Sequence, residues 1–224
     1  MATSSGRGAR PATSPGPGTI ATDEPAGWST PAGGGLHLVT AFEVDNLGRP
    51  IKQTDPAGHV AYTVYRDAAH EVRTYRGWDA ATNTPTGPTA VVREDWAGGY
   101  AETLAMSAAP AVTGGRPTGA EAVAGVQTLL RSHTAPDGEL THTDAYFDLT
   151  GLTYSTAATL GVEGTNFYRT RYGYDEMGRR DRVVSPAGTI TRTVYDGLGR
   201  VAADWVGTND APASGAWSPA NPAG

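Results

Sequence analysis

Residues 174–179 read YDEMGR, and residues 195–200 read YDGLGR. In each copy a tyrosine precedes an aspartate, and a glycine and an arginine follow that aspartate at the third and fourth positions. A weaker copy reads FEVDNLGR at residues 42–49, where Asp45, Gly48 and Arg49 keep the same order. Internal repetition of a short unit predicts a chain built from repeated supersecondary elements.

Each copy is followed by a second turn-like motif at a fixed distance. The motif reads DPAG at residues 55–58 and SPAG at residues 185–188. The second glycine follows the first by ten positions in both regions, and a tyrosine follows the first glycine by seventeen. The matching positions are Asp55, Pro56, Gly58 and Tyr65 in one region, and Pro186, Gly188 and Tyr195 in the other. The common spacing predicts one local fold for both.

The four-residue pattern Asp-x-x-Gly is typical of a tight hairpin turn. Type I turns favour Asp or Ser first, Pro second and Gly fourth. A glycine with positive φ in the fourth position completes the bulged turn that closes a twisted hairpin. The same pattern begins at Asp95, Asp148, Asp175 and Asp196, with a variant from Ala135 to Gly138. We therefore predict an all-β fold made of antiparallel β-hairpin repeats in a meander, with disordered termini.

The residues on either side of each turn also predict structural roles. Tyr174 and Tyr195 directly precede the turn aspartate, so each is expected to end a strand and to pack over a neighbouring hairpin. Arg49, Arg179 and Arg200 directly follow the turn glycines Gly48, Gly178 and Gly199. We expect each arginine to pair with a turn aspartate or to cover a tyrosine ring.

Strand candidates lie between the turns. Residues 60–65 and 189–195 are rich in β-branched and aromatic side chains, which strands favour. Residues 127–134 and 140–147 flank a Pro-Asp-Gly turn and predict a hairpin. Only residues 120–130 have a weakly helical pattern, and Gly125 interrupts it.

Composition bounds the domain organisation and excludes some functions. The chain has 30 glycines and 16 prolines among 224 residues, an excess that fits many turns. We predict a disordered segment at 1–35, a repeat region at 36–206 with a flexible loop at 107–122, and a Gly/Pro-rich tail at 207–224. There are no cysteines, which excludes disulfides and zinc–thiolate sites. A net charge of −6 argues against nucleic-acid binding, and no apolar run is long enough for a membrane span.

Several side chains could carry chemistry, but none forms a convincing motif. Carboxylate pairs occur at Glu94–Asp95 and Asp144–Asp148, and a weak metal site could form from His133, His142 and Asp144. Scattered polar residues explain both better, so we assign no catalytic, cofactor or metal residues and do not expect an enzyme. Flat aromatic faces that sugars could stack on are offered by Trp78, Trp96, Tyr100, Tyr168, Trp205 and Trp217. Of these, Trp217 is the one that we expect to be exposed, or else docked into a missing neighbouring repeat.

The repeated motif resembles the tyrosine–aspartate (YD) repeat of the RHS family. That resemblance implies a ribbon of hairpins wound into a hollow shell, which in bacterial members holds a variable C-terminal toxin away from the cell that makes it. It implies a secreted or cell-surface structural role, with neighbouring repeats or sheet edges as partners. A carbohydrate-binding module is the alternative, and an enzyme the third possibility. The copies are too few to close a shell, so we expect a fragment of a longer protein.

Overall fold

The chain forms one twelve-stranded antiparallel sheet and two small hairpins. The structure is a computed structural model and describes residues 38–222. Its strands are β1 Ala41–Val44, β2 Pro50–Thr54, β3 Val60–Arg66, β4 Glu71–Tyr75, β5 Trp78–Asp79, β6 Thr84–Pro85, β7 Thr89–Asp95, β8 Tyr100–Met106, β9 Val112–Thr113, β10 Arg116–Pro117, β11 Val126–Thr134, β12 Leu140–Tyr146, β13 Phe167–Tyr174, β14 Arg180–Val184, β15 Ile190–Tyr195 and β16 Val201–Gly207.

The strands of the large sheet follow one another in chain order. The order is β1-β2-β3-β4-β7-β8-β11-β12-β13-β14-β15-β16, while β5 pairs with β6 and β9 with β10. Within residues 38–222 the only helix is a single 3-10 turn at Asp67–Ala69. The all-β meander predicted from the repeated turns is confirmed.

The predicted strands lie close to their observed positions. Residues 60–65 become β3, residues 189–195 become β15, and the Pro-Asp-Gly hairpin becomes β11 and β12. The weakly helical stretch at 120–130 forms loop and then β11, because the β-branched and leucine side chains of that strand pack in a sheet. Register in the β11–β12 pair is regular up to a bulge at His133/Thr134, next to the turn.

One face of the sheet is covered by the chain itself. The segments 107–125 and 147–166 fold back over this covered face, and a small core forms beneath them. That core contains the buried side chains Val91, Leu104, Met106, Leu129 and Leu160. Residues 107–122, predicted as a flexible loop, hold the β9–β10 hairpin and make contacts with the sheet. The mobility of that segment stays a prediction.

The other face of the sheet is open. Side chains alternate between the two faces of a strand, so Val92 and Leu130 lie opposite the core. They are 51% and 43% exposed. This thin, one-sided core agrees with the low hydrophobic content of the chain, 38%.

The two chain ends differ in what the structure describes. The predicted disordered segment 1–35 lies outside the described residues. In the tail, Asp210 accepts hydrogen bonds from Arg182 (2.6 Å) and Arg192 (2.8 Å). Trp217 lies over the Arg192 guanidinium, 5.0 Å from its carbon to the ring centroid. Of the two outcomes expected for Trp217, exposure is wrong, because this tail packs the side chain half-buried on the sheet. Docking into a neighbouring repeat stays a prediction.

Candidate functional site

The repeated turns have the geometry that their sequence predicts. At the Asp175 turn, the Gly178 amide donates to the Asp175 carbonyl (2.9 Å), and Gly178 has φ +71°. The Asp175 Oδ1 atom accepts the amides of Met177 (3.0 Å) and Arg179 (2.9 Å). The carboxylate therefore satisfies backbone donors that the sheet leaves free.

The same arrangement recurs along the sheet. Positive φ occurs at the fourth-position glycines Gly48, Gly58, Gly138, Gly178, Gly188 and Gly199. Oδ1 of Asp45, Asp55 and Asp196 accepts the same two amides as in the Asp175 turn. Where serine replaces aspartate, the Ser185 hydroxyl accepts the Thr189 amide (3.1 Å). These turns join β1–β2, β2–β3, β11–β12, β13–β14, β14–β15 and β15–β16. That these residues form a family motif stays a prediction.

Two of the predicted turns differ from the pattern. In the β7–β8 connection the positive φ belongs to Gly99 and not to Gly98, because Asp95 Oδ1 takes the Gly98 amide directly (2.7 Å). At the Asp148 motif Gly151 has φ +74°, but no hairpin follows. Residues 147–166 instead cross the covered face, so that hairpin prediction is wrong.

The arginine after each turn joins two parts of the repeat. Arg179 Nε donates to Asp175 Oδ2 (2.7 Å), and its guanidinium carbon lies 4.4 Å from the Tyr195 ring centroid. Arg49 pairs with Asp45 (2.7 Å) and lies 4.1 Å from Tyr65. The two roles expected as alternatives are thus performed together. The spacing of seventeen residues from the turn glycine to the tyrosine brings the ring back to the same end of the strands, beneath the arginine.

Arg200 has only half of this arrangement. It pairs with Asp196 (2.8 Å) but covers no aromatic ring among residues 38–222, and its side chain is 73% exposed. It follows the turn into β16, the last strand of the sheet, whose residues are all exposed. The repeat interaction is therefore incomplete at this edge within the described residues.

These contacts shift the pKa of the turn aspartates. Hydrogen bonds from the Arg179 side chain and backbone lower the pKa of Asp175. The Arg200 backbone and side chain do the same for Asp196. Both carboxylates are therefore held in the ionised form that the turn requires.

A row of alternating charges crosses the covered face. Each member of this charge ladder pairs in register with the next, on seven consecutive strands of the sheet. Its members are Arg66 (β3), Glu71 (β4), Arg93 (β7), Glu102 (β8), Arg131 (β11), Asp144 (β12) and Arg169 (β13). Opposite charges on directly paired positions stabilise a sheet, and like charges there destabilise it.

The middle of the charge ladder is buried and fully paired. Arg131 is 0% exposed, and Glu102 is 2% exposed. Glu102 accepts a hydrogen bond from Arg131 (3.1 Å) and one from the Tyr154 hydroxyl, and it forms an ion pair with Arg93 (2.7 Å). Arg131 donates as well to the carbonyls of Ser155 (2.6 Å) and Ala157 (2.6 Å). The ladder thereby fastens segment 147–166 to the sheet.

A second buried network holds the other covering segment. Arg73 donates to Glu71 (2.6 Å) and to both the side chain (2.8 Å) and backbone (2.9 Å) of Glu121. The Tyr75 hydroxyl also donates to Glu121 (2.6 Å). Burial and this hydrogen bond raise the pKa of Tyr75. The two segments are therefore docked by the same chemistry, arginine and tyrosine against a buried glutamate.

Sequence reasoning missed the charge ladder. Alternating charged residues on a strand, as in Glu71-Val72-Arg73, predict a solvated face when no covering layer is foreseen. Two signals were present in the sequence. One is the long insertions between hairpins, and the other is the alternation of basic and acidic residues from one strand to the next. Neither signal shows which charges pair, because that depends on the register between neighbouring strands.

The histidines named as a weak metal site are brought together. His133 and His142 are direct partners in the β11–β12 pair, and their rings stack 4.2 Å apart. Asp144 lies two residues along β12 and accepts two bonds from Arg169 (2.6 and 2.7 Å). Burial and the neighbouring His133 lower the pKa of His142 to about 4. Burial lowers the pKa of His133 as well, so both rings favour the neutral form.

The aromatic residues suggested for glycans do not form one surface. Trp78 and Tyr100 are buried in the covered face (7% and 3% exposed). Trp96 is 72% exposed, and one ring face stacks on His70 at 4.1 Å. It borders a groove of about 630 Å³ that Glu94 and Asp95 also line. The other ring face of Trp96 is available for stacking.

The candidate carboxylate pairs have other partners. Asp144 is 1% exposed and is held by Arg169. Asp148 Oδ1 accepts the Thr150 amide (2.9 Å), and Asp95 Oδ1 takes a turn amide. Glu94 accepts the Trp96 indole N–H (2.9 Å). Each of these four carboxylates is thus engaged in a local contact.

Of the comparisons with known proteins, only the one with solved structures finds a match. No protein-family model matches the chain, and no curated protein matches it. The fold is similar to chains in the crystal structures of TcdB2–TccC3–TEV (16% identity, TM-score 0.40) and TcdB2–TccC3–Cdc42 (17% identity, TM-score 0.41). Each match covers 75% of this chain and 8% of the other, so this chain spans a small part of the length of those proteins. In the part of the chain that the structure describes, no helix has the length and apolarity to cross a membrane.

Proposed function

We propose that this chain is a structural segment of a wound β-shell of the YD-repeat, or RHS, type. The observation that carries the proposal is the repeated clamp in which an arginine binds its own turn aspartate and covers a tyrosine sixteen positions later. It occurs as Arg49–Asp45–Tyr65 and as Arg179–Asp175–Tyr195. A clamp of this kind fastens one hairpin to the next, so it suits a sheet that is built by repeating hairpins.

The order of strands supports the same role. Every strand of the large sheet pairs with its neighbours in the chain, so more hairpins can join without rearranging those present. Arg200 and the exposed strand β16 present the beginning of a further clamp. We propose a secreted or cell-surface shell, part of a longer protein, whose enclosed content the segment itself does not specify.

The proposal is tested on the gene and its whole product. We expect the open reading frame around these residues to encode further Tyr-Asp-x-x-Gly-Arg copies, and electron microscopy of the full product to show a hollow shell. A sheet continuing from β16 into the next repeat is the expected detail. A reading frame without further copies, whose product is a compact monomer of this size, would overturn the proposal.

Trp96 supports a second candidate, glycan binding. Its free ring face beside the acidic groove offers the stacking surface and the hydrogen-bond acceptors that a sugar needs. A glycan array compares the protein with W96A and with a control, W205A, which removes a 42% exposed tryptophan far from the groove in the sheet. Binding lost only in W96A would support this function, and no binding to any glycan would overturn it.

A further inference from the structure

The histidine pair on the covered face has the donors of a cation site. His133, His142 and Asp144 each offer one ligand atom, and these atoms lie within 4.8 Å of one another. The pairing of β11 with β12 sets two imidazoles side by side, and the two-residue step along β12 places the carboxylate on the same face. Three donors therefore converge from two adjacent strands.

One donor is buried without a partner. His133 is 7% exposed, and its Nε2 atom has no hydrogen-bond partner, although Asp144 Oδ2 lies 3.5 Å away. A buried polar atom without a partner is costly in a folded protein. His142 differs, because its Nδ1 atom contacts the Thr141 hydroxyl (3.0 Å), which fixes the ring and leaves Nε2 as its available nitrogen.

We propose that His133, His142 and Asp144 bind a divalent transition-metal ion of the Zn²⁺ type, with water completing the coordination. Two imidazoles and one carboxylate are donors that Zn²⁺ accepts, whereas Mg²⁺ and Ca²⁺ require mostly oxygen ligands. Zn–N and Zn–O distances of about 2.0–2.2 Å require the donor atoms to approach one another. We expect small rotations of the His133 side chain, whose Nε2 atom has no hydrogen-bond partner, to supply that movement.

The neighbouring arginines set the strength of the site. Arg169 holds the Asp144 carboxylate, as a second-shell group holds a metal ligand. Arg131 is the other register neighbour of Asp144 in the charge ladder, but its charge is paired with Glu102. A dication beside Arg169 meets repulsion, so we expect micromolar affinity rather than the tight binding of a structural zinc site.

The test uses the whole chain with Zn²⁺ and Co²⁺ as probes. Zn²⁺ at about 100 times its Kd is expected to raise Tm by roughly 5–10 °C. Co²⁺ is expected to give the visible d–d absorption of a low-coordinate site with nitrogen ligands. H142Q should abolish both effects, since it removes a donor that is only half buried. The matched control is H59Q, because His59 also pairs with an aspartate (Asp55, 2.9 Å) but lies in an exposed turn.

A second measurement on the unaltered protein guards against a variant that fails to fold. Imidazole nitrogen resonances in ¹H–¹⁵N spectra should shift on Zn²⁺ addition for His133 and His142 and stay in place for His59. An equal Tm rise in H142Q and in the unaltered protein would overturn the proposal. Unchanged His133 and His142 resonances would do the same, and would leave the pair as a stacked structural contact.

Discussion

The guanidinium of Arg179 lies 4.4 Å from the ring centroid of Tyr195 while its Nε atom is bonded to Asp175. One side chain thus links the turn between β13 and β14 to the end of β15. A cation over a partly exposed aromatic ring contributes about 0.5–1 kcal/mol. The contact therefore ties the β13–β14 hairpin to β15 through side chains as well as through the backbone ladder.

Replacement of Arg179 measures this link. R179A removes the aspartate pair and the aromatic contact, whereas R200A removes an equivalent aspartate pair with no ring beneath it in the described residues. We expect R179A to lower the free energy of unfolding by about 0.5–1 kcal/mol more than R200A, as measured by urea titration. An equal loss of unfolding free energy in the two variants would show that the Tyr195 ring contributes nothing.

Acid should weaken the turns. Hydrogen bonds from Arg179 and Arg200 lower the pKa of Asp175 and Asp196 in the folded state. A lowered folded pKa gives stability that is present above the unfolded value, near 3.9, and is lost as the pH falls through the folded value. Tm should therefore stay level from about pH 7 to 5 and fall below about pH 4.

The variant D175S tests the source of the acid effect. Serine holds the equivalent turn at Ser185, so the backbone should keep its path while the titrating group is lost. D175S should show a smaller fall of Tm between pH 5 and 3 than the unaltered protein. A fall of the same size would assign the acid transition to other carboxylates.

Gly188 and Gly197 allow the cost of an unfavourable backbone conformation to be measured apart from the cost of steric crowding. A Cβ atom at either position meets nothing within 4 Å, but only Gly188 has positive φ (+82°). G188A should cost about 1–2 kcal/mol, since an L-residue is strained there, while G197A should fall within about 0.5 kcal/mol of zero. Thermal unfolding of both proteins measures the difference, and similar Tm values would remove the requirement for positive φ.

The middle of the charge ladder should be the most sensitive polar site. R131M leaves Glu102 buried with one cation fewer and releases the carbonyls of segment 147–166, so we expect a loss of about 3–5 kcal/mol. R116M breaks an arginine–glutamate pair whose arginine is 48% exposed, and should cost about 1 kcal/mol or less.

Hydrogen exchange shows which part of the structure R131M destabilises. Faster exchange in residues 147–166, beyond that in β1–β3, would show that the ladder docks this segment. Uniform acceleration over the whole sheet would instead indicate global destabilisation.

The turns could be predicted from sequence because their chemistry is local. Asp175, Gly178 and Arg179 are within five residues, and the bonds among them depend on no other part of the chain. The covered face could not be predicted, because Glu102, Arg131 and Asp144 meet only through strand register. The failed hairpin at Asp148 has the same cause, since Arg131 and the apolar core draw residues 147–166 across the sheet.

The strand order also bears on how the protein is made and how it comes apart. A strand emerging from the ribosome finds its hydrogen-bonding partner already synthesised, so the sheet can grow from its amino-terminal edge without waiting for distant segments. Force applied across the two ends would load the strand pairs one after another rather than together. Such a sheet should come apart in successive steps, with the strands that segments 107–125 and 147–166 fasten together separating as a unit.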